Sequence, residues 1–191
     1  ELDEEIDGGL SFRGVNDLEH ILLRCSKGGV LSGLELLEIA HTLRAARRLR
    51  RQINQPESRP VLSNLLADLT TLPELQRLIE YGLEEGGRVA DRASEKLSNL
   101  RRELYRLRIE RRECLKEIMR RCSSILQDNV IAERYGRSVL ALKSGAIDQL
   151  QGTVHDSSAS GNTIFIEPKA VIAFGDQIDL LQGKILIEEQ R

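Results

Sequence analysis

Apolar positions recur at helical spacing over most of this chain, and the places where that period fails divide it. Leu18, Ile21 and Leu22 mark a short helix over 17–24, closed by the glycine stop Ser26-Lys27-Gly28-Gly29. Leu36, Ile39, Ala40, Leu43, Ala46 and Ile53 mark a longer one. Ser32 stands at its N-cap with Glu35 at the spacing of a capping box. A turn is expected over 56–60, then two short helices over 61–70 and 73–81, the second opened by Pro73 in its first turn. Gly82 and Gly86-Gly87 break the pattern, and Arg88-Val89-Ala90 reads as a short extended piece.

The longest periodic stretch follows. Leu97, Leu100, Leu104 and Leu107 form an apolar stripe, Arg111 interrupts it, and Cys114, Leu115, Ile118, Cys122 and Ile125 resume it. Neither Gly nor Pro occurs over 94–128, so the pattern predicts one helix about 50 Å long at 1.5 Å per residue. A helix of that length outreaches a small domain and needs a partner along its flank.

After Asp128-Asn129 the period changes to that of strands. Residues 130–135 and 137–143 read as a hairpin around Gly136, and 144–150 as a connector. Gly152-Thr153-Val154 and Thr163-Ile164-Phe165-Ile166 are β-prone runs flanking a polar connector, 155–162, whose serines and Gly161-Asn162 suit a turn. Pro168 ends the second run and is placed to open a helix. Val171, Ile172, Phe174, Ile178, Leu181 and Ile185 carry that helix towards Arg191. The order is long helix out, small sheet, long helix back. The expected fold is therefore mainly α with a small antiparallel β element. Its parts are a helical core over 1–93 with an acidic, Gly-rich lead-in, an outgoing helix over 94–129, a β tip over 130–167 and a returning helix from 168. The start without Met and the helical pattern still running at the end suggest an internal piece of a longer protein.

Composition sharpens this picture. The 191 residues are 40% hydrophobic but 3% aromatic, with no Trp and 30% charged, which suits long helices with a narrow seam and wide solvated faces. The net charge of −2 gives no global pull on nucleic acid. The charge is nevertheless uneven. Residues 94–127 hold ten Lys and Arg against five Asp and Glu, so this arm is basic and the rest of the chain acidic. Like-charged i,i+4 neighbours, Arg112 with Lys116 and Glu113 with Glu117, favour a face awaiting a partner. The run Arg44, Arg47, Arg48, Arg50 and Arg51 reads as a solvated face that also suits a helix C-terminal dipole. Cys25, Cys114 and Cys122 form no C-x-x-C pair and read as reduced cysteines of a reducing, intracellular compartment. No apolar run is long enough to span a bilayer, so no membrane partner is expected.

Candidate chemistry is sparse. His155-Asp156-Ser157-Ser158 contains the residue types of a hydrolase triad, but neighbours on one segment do not converge with the base between nucleophile and orienter. Ser158-Ala159-Ser160-Gly161 reads either as a backbone nest for a phosphate oxygen or as a plain hairpin loop. There is no G-x-x-x-x-G-K-[ST] and no H-E-x-x-H, and the residues give neither a catalytic nor a metal site.

VHDSSASGNTIFIEPKAV, over 154–171, resembles the signature stretch of the second bacterial and organellar branch of the MutS family. GGVLSGLELLEIAHTLRAARRLR (28–50), LRRELYRLR (100–108) and YGRSVLALKS (135–144) are similar to that family in order and spacing, so the resemblance covers nearly the whole chain. It implies the helical core and lever region of a MutS-like protein, with the sheet as a clamp-like tip that holds nucleic-acid backbone in a dimer. ATP and magnesium would belong to an ATPase domain outside this stretch, and a nuclease tail of the Smr type is common in the branch. The family is associated with suppression of recombination and, in some bacteria, with rescue of collided ribosomes, in cytoplasm or organelle. On this resemblance the tip is expected to touch DNA phosphates through Arg134, Arg137, Lys143, Ser157, Ser158, Ser160, Asn162 and Lys169. The alternative is a dimerisation and ribosome-docking element. Ser157 stands where the family usually has Gln and Asn162 where Ala is common. Phe174-Gly175-Asp176 replaces a more polar helix start, and a Gly there costs about 1 kcal/mol relative to Ala.

Overall fold

The computed structural model describes residues 10–53 and 60–191, and the chain divides into two compact units between Glu95 and Lys96. The lead-in over 1–9 and most of the turn at 56–60 lie outside the described residues.

The first unit holds α1 (Glu19–Ser26), α2 (Gly33–Gln52), α3 (Pro60–Leu65) and α4 (Pro73–Gly82), followed by a 3-10 turn at Asp91–Ala93. Asp17 stays outside α1 and accepts from the Glu19 N–H at 3.0 Å. The capping box of α2 forms as its sequence predicts: the Ser32 N–H donates to Glu35 Oε2 at 2.8 Å, and Ser32 Oγ accepts from the Glu35 N–H. Ala40 of α2 packs with Ile79 of α4 and Leu83 in a small core. Gln76 is buried and donates to Glu80 Oε1 at 2.7 Å; Arg44 of α2 donates to the same oxygen. The extended piece at 88–90 pairs through a single bridge, Val89 with Leu83. α3 is shorter than the 61–70 pattern predicts. Its backbone tightens into the i→i+3 bonds Ala67 N–H to Asn64 O and Leu69 N–H to Leu66 O, ahead of the β-branched pair Thr70-Thr71.

The second unit is α5 (Glu95–Arg121), β1 (Leu126–Arg134), β2 (Arg137–Lys143), a 3-10 turn (Ser144–Gln149), β3 (Gly152–Ser157), β4 (Thr163–Pro168) and α6 (Lys169–Glu189). The two helices run antiparallel. Lys96 at the start of α5 pairs with Glu188 at the end of α6 at 2.8 Å, and Arg101 pairs with Glu189. At the other end Leu115 and Val171 share one core. Leu97, Leu104 and Leu107 of α5 are buried, as are Ile178, Leu181 and Ile185 of α6, which accounts for the stripe in the sequence.

α5 has 27 residues, about 40 Å, and stops short of the end that its pattern predicts. The residues beyond Arg121 are claimed by tertiary partners. Ile125 O accepts from the Lys143 N–H at 3.0 Å, and Leu126 pairs with Leu142, so β1 begins four residues before Val130. Ser123 and Ser124, whose side chains compete with helical bonds, lie at the break.

The sheet is antiparallel throughout, in the order β1-β2-β4-β3. Leu140, Leu142 and Ile166 face the last turns of α5 and the first turn of α6, meeting Leu115, Met119 and Val171. The sheet therefore leans on the helices, with one face in their core, rather than standing clear of them. β3 runs further than the sequence pattern, through Ser157, with a bulge at His155 between the pairs Val154–Ile166 and Asp156–Phe165. Pro168 closes β4 and sits at the N-cap of α6, one position earlier than an opening helical residue. Among the described residues, no helix is long and apolar enough to cross a membrane.

Candidate nucleic-acid interface

The register separates the eight residues that the sequence groups together. Lys143 pairs with Thr163, and Ser157 pairs with Ile164, so Lys143, Ser157, Ser158, Ser160 and Asn162 collect at one end of the sheet. Arg137 lies at the opposite end, across from Arg134, and the Lys169 N–H donates to Gln151 O near the same end.

The β3–β4 loop is self-closed. The Ser158 N–H donates to Thr163 O at 2.9 Å, the Gly161 N–H to Ser158 O at 2.8 Å, and the Thr163 N–H to Ser158 Oγ at 3.0 Å. Asn162 O accepts from the Ser144 N–H, which fixes the loop to the end of β2. Ser157, Ser160 and Asn162 are exposed, and so is Lys143, whose Nζ donates to Ser124 O at 2.9 Å. This end presents Lys143 of β2 beside the hydroxyls and amide of a hydrogen-bonded hairpin loop. His155 and Asp156, one of the connector readings, lie in β3 itself. His155 Nε2 stands 2.8 Å from Glu167 Oε2, and Asp156 accepts from Arg134 Nε at 3.1 Å. Neither side chain is paired with a serine hydroxyl, so no triad geometry is present among them.

The two arginines are engaged inside the protein. Arg137 reaches three carboxylates: its Nε donates to Glu167 Oε2 at 3.0 Å, Nη2 to Asp176 Oδ1 at 2.9 Å, and Nη1 to Asp179 Oδ2 at 3.0 Å. Its side chain is 15% exposed and that of Glu167 is 3% exposed, so this pair is buried between β2 and β4, while the bonds to Asp176 and Asp179 tie the sheet to α6. Burial alone would lower the Arg137 pKa. The bonds to Glu167, Asp176 and Asp179 outweigh it and hold the guanidinium above its usual value. Arg134 lies over the Phe165 ring, 4.0 Å from its centre, as well as pairing with Asp156. Sequence reasoning gave Glu167, Asp176 and Asp179 no role, and weighed His155 only as a triad residue type. The only signal was the helical spacing of Ile172, Asp176 and Asp179, which places two acids and a carbonyl on one face of α6.

No family model matches this chain. Curated relatives do. It is 43% identical over 180 residues to an Endonuclease MutS2 of Synechocystis, covering 94% of this chain and 22% of that protein. It is 38% identical over 190 residues to one from Geobacillus and 36% over 187 residues to one from Clostridium botulinum, each match covering 96% of this chain and 24% of the relative. The chain belongs to the MutS2 family. It spans about a quarter of the length of these MutS2 relatives. The mainly α fold with a four-stranded antiparallel sheet agrees with the fold that the MutS resemblance implies.

Proposed function

We propose that this MutS2 segment is a non-catalytic arm that holds nucleic-acid backbone at the loop end of its sheet. In this reading α5 and α6 connect the sheet to an ATPase elsewhere in the protein, where ATP and magnesium would act. DNA is the expected ligand, gripped by a dimer. The observation that carries the reading is the antiparallel pair α5–α6, pinned at its far end by Lys96–Glu188, with a closed polar hairpin and the exposed Lys143 at its other end. Hydroxyls, an amide and a lysine are donors suited to phosphate oxygens, and such contacts position a protein without reading sequence. Arg137 is assigned to holding the sheet on α6, because four of its five donors already face carboxylates and a carbonyl. Arg134 and Lys169 are assigned to the flank.

The test is the salt dependence of binding to a labelled DNA duplex. Each lost phosphate contact lowers the slope of log K against log salt by about 0.9. Lys143→Gln is expected to lower it by about that amount, and Asn162→Asp, which puts a negative charge into the loop, to weaken binding. Slopes and affinities equal to wild type in both variants would overturn the assignment.

A further inference from the structure

α5 carries a second basic surface, away from the hairpin loop. Arg108, Arg111, Arg112 and Lys116 lie on one stripe of the helix, and with Asn129 of β1 and Ser138 of β2 they line a groove of about 620 Å³. Leu115 and Met119 form its apolar floor. Arg111 is the residue that breaks the leucine stripe of α5, so a cation stands where the seam calls for an apolar side chain.

The cations here differ from those on the rest of the helix. Arg106 pairs with Glu110 at 2.7 Å, and Arg120 pairs with Glu117, the ordinary i,i+3 and i,i+4 neutralisation of a solvated helix. In the groove the i,i+4 partners are themselves cations: Arg108, Arg112 and Lys116 follow one another along a single row. Of the four, Lys116 alone has a carboxylate partner, Glu113 at 2.6 Å. Among the described residues, no carboxylate lies within 4.0 Å of Arg108, Arg111 or Arg112. Arg111 is also half-buried, and its burial, opposed by Glu133 and Glu167 and reinforced by Arg108 and Arg137, holds its pKa below the usual value. A half-buried, unpaired guanidinium beside a like-charged row is a destabilising arrangement that an arriving anion relieves.

From this geometry we infer that the groove between α5 and the β1–β2 hairpin is a second binding track for the phosphodiester backbone of a nucleic acid. Arg108 to Lys116 covers about 12 Å of helix, at 1.5 Å per residue. One strand of a duplex advances about 3.4 Å per phosphate along its axis, so the row faces a polyanion rather than a single anion. Arginine forks suit the paired oxygens of phosphate, and the apolar floor strengthens each charge contact by excluding water. Asn129 and Ser138 add neutral donors at the rim. The inference rests on the nucleic-acid reading of this segment and extends it from the loop to the flank of α5.

The experiment uses the full-length protein and 20-base-pair duplexes of DNA and of RNA, with anisotropy measured from 50 to 200 mM salt. R108Q/R111Q/R112Q is expected to lower the salt slope by about 2.7, so that the loss of affinity over that range shrinks by roughly 40-fold. R108K/R111K/R112K keeps the charge and is expected to keep the slope. If the triple Gln variant does not fold, R112Q alone, at an exposed position, is expected to lower the slope by about 0.9. A folded Gln variant with wild-type slope on both duplexes overturns the groove; if Lys143→Gln still lowers the slope, the loop reading survives. Wild-type protein that binds neither duplex overturns both.

Discussion

A Cβ built on Gly175 would stand 2.6 Å from Arg137 Cζ, so the bare backbone of α6 at this point is what lets the guanidinium lie flat against the helix. From there Arg137 reaches Asp176, Asp179 and the Ile172 carbonyl on α6 while still holding Glu167 of β4. The glycine that lowers helix propensity is thus the seat of the sheet's main polar attachment.

Gly175→Ala sets two effects against each other. Alanine favours the helix by about 1 kcal/mol, and its methyl displaces a guanidinium held at three carboxylates. Removing one partner of a buried ion pair costs about 3 kcal/mol, so even partial loss of the Arg137 contacts outweighs the propensity gain. Gly175→Ala is therefore expected to lower the urea midpoint in wild type. In an Arg137→Ala background, which is itself destabilised, the same change is expected to raise the midpoint, by the equivalent of up to about 1 kcal/mol of stability. A midpoint shift of the same sign in both backgrounds would separate the two residues.

Acid should loosen the start of α2 through Glu35. Its carboxyl is held down to about 2 from an ordinary 4.5, first by the Arg24 guanidinium and then by the Ser32 N–H and hydroxyl. Because the folded value is depressed, this contribution is complete above about pH 4.5 and is lost as pH falls towards 2. Amide exchange at the first turn of α2 is expected to accelerate over that window relative to the middle of the helix. Glu35→Gln is expected to remove most of the extra acid sensitivity, and an unchanged profile in that variant would refute the assignment.

The β1–β2 turn should tolerate a better residue than the one it has. Tyr135 has φ 51° and Gly136 φ 79°, the left-handed pair of a type I′ turn, which favours Asn-Gly. Tyr135 is 81% exposed, so little packing offsets the backbone strain. Tyr135→Asn is expected to stabilise the second unit by about 1 kcal/mol, read as a rise in Tm. A fall in Tm would mean that the ring contributes contacts worth more than the strain.

Local chemistry alone determined much of this protein. Ser32 and Glu35 specify the start of α2 because a capping box needs only neighbours in sequence. The Leu97-to-Leu107 stripe specifies a long helix with one buried side, and Gly136 and the alternating runs around it specify a hairpin. The motif over 154–171 also carries the family resemblance by itself. Only the tertiary structure decided where α5 stops, because Lys143 and Leu142, distant in sequence, claim Ile125 and Leu126. It likewise decided which basic residues stay available. Arg137 and Lys143 look alike along the strand, but a side chain's partners depend on what folds against it. Helix α6 brings two aspartates to Arg137, while among the described residues the exposed Lys143 has the Ser124 carbonyl as its side-chain partner. Arg111 follows the same rule: an interruption in a stripe on paper becomes one wall of a cationic groove once β1 and β2 lie beside it.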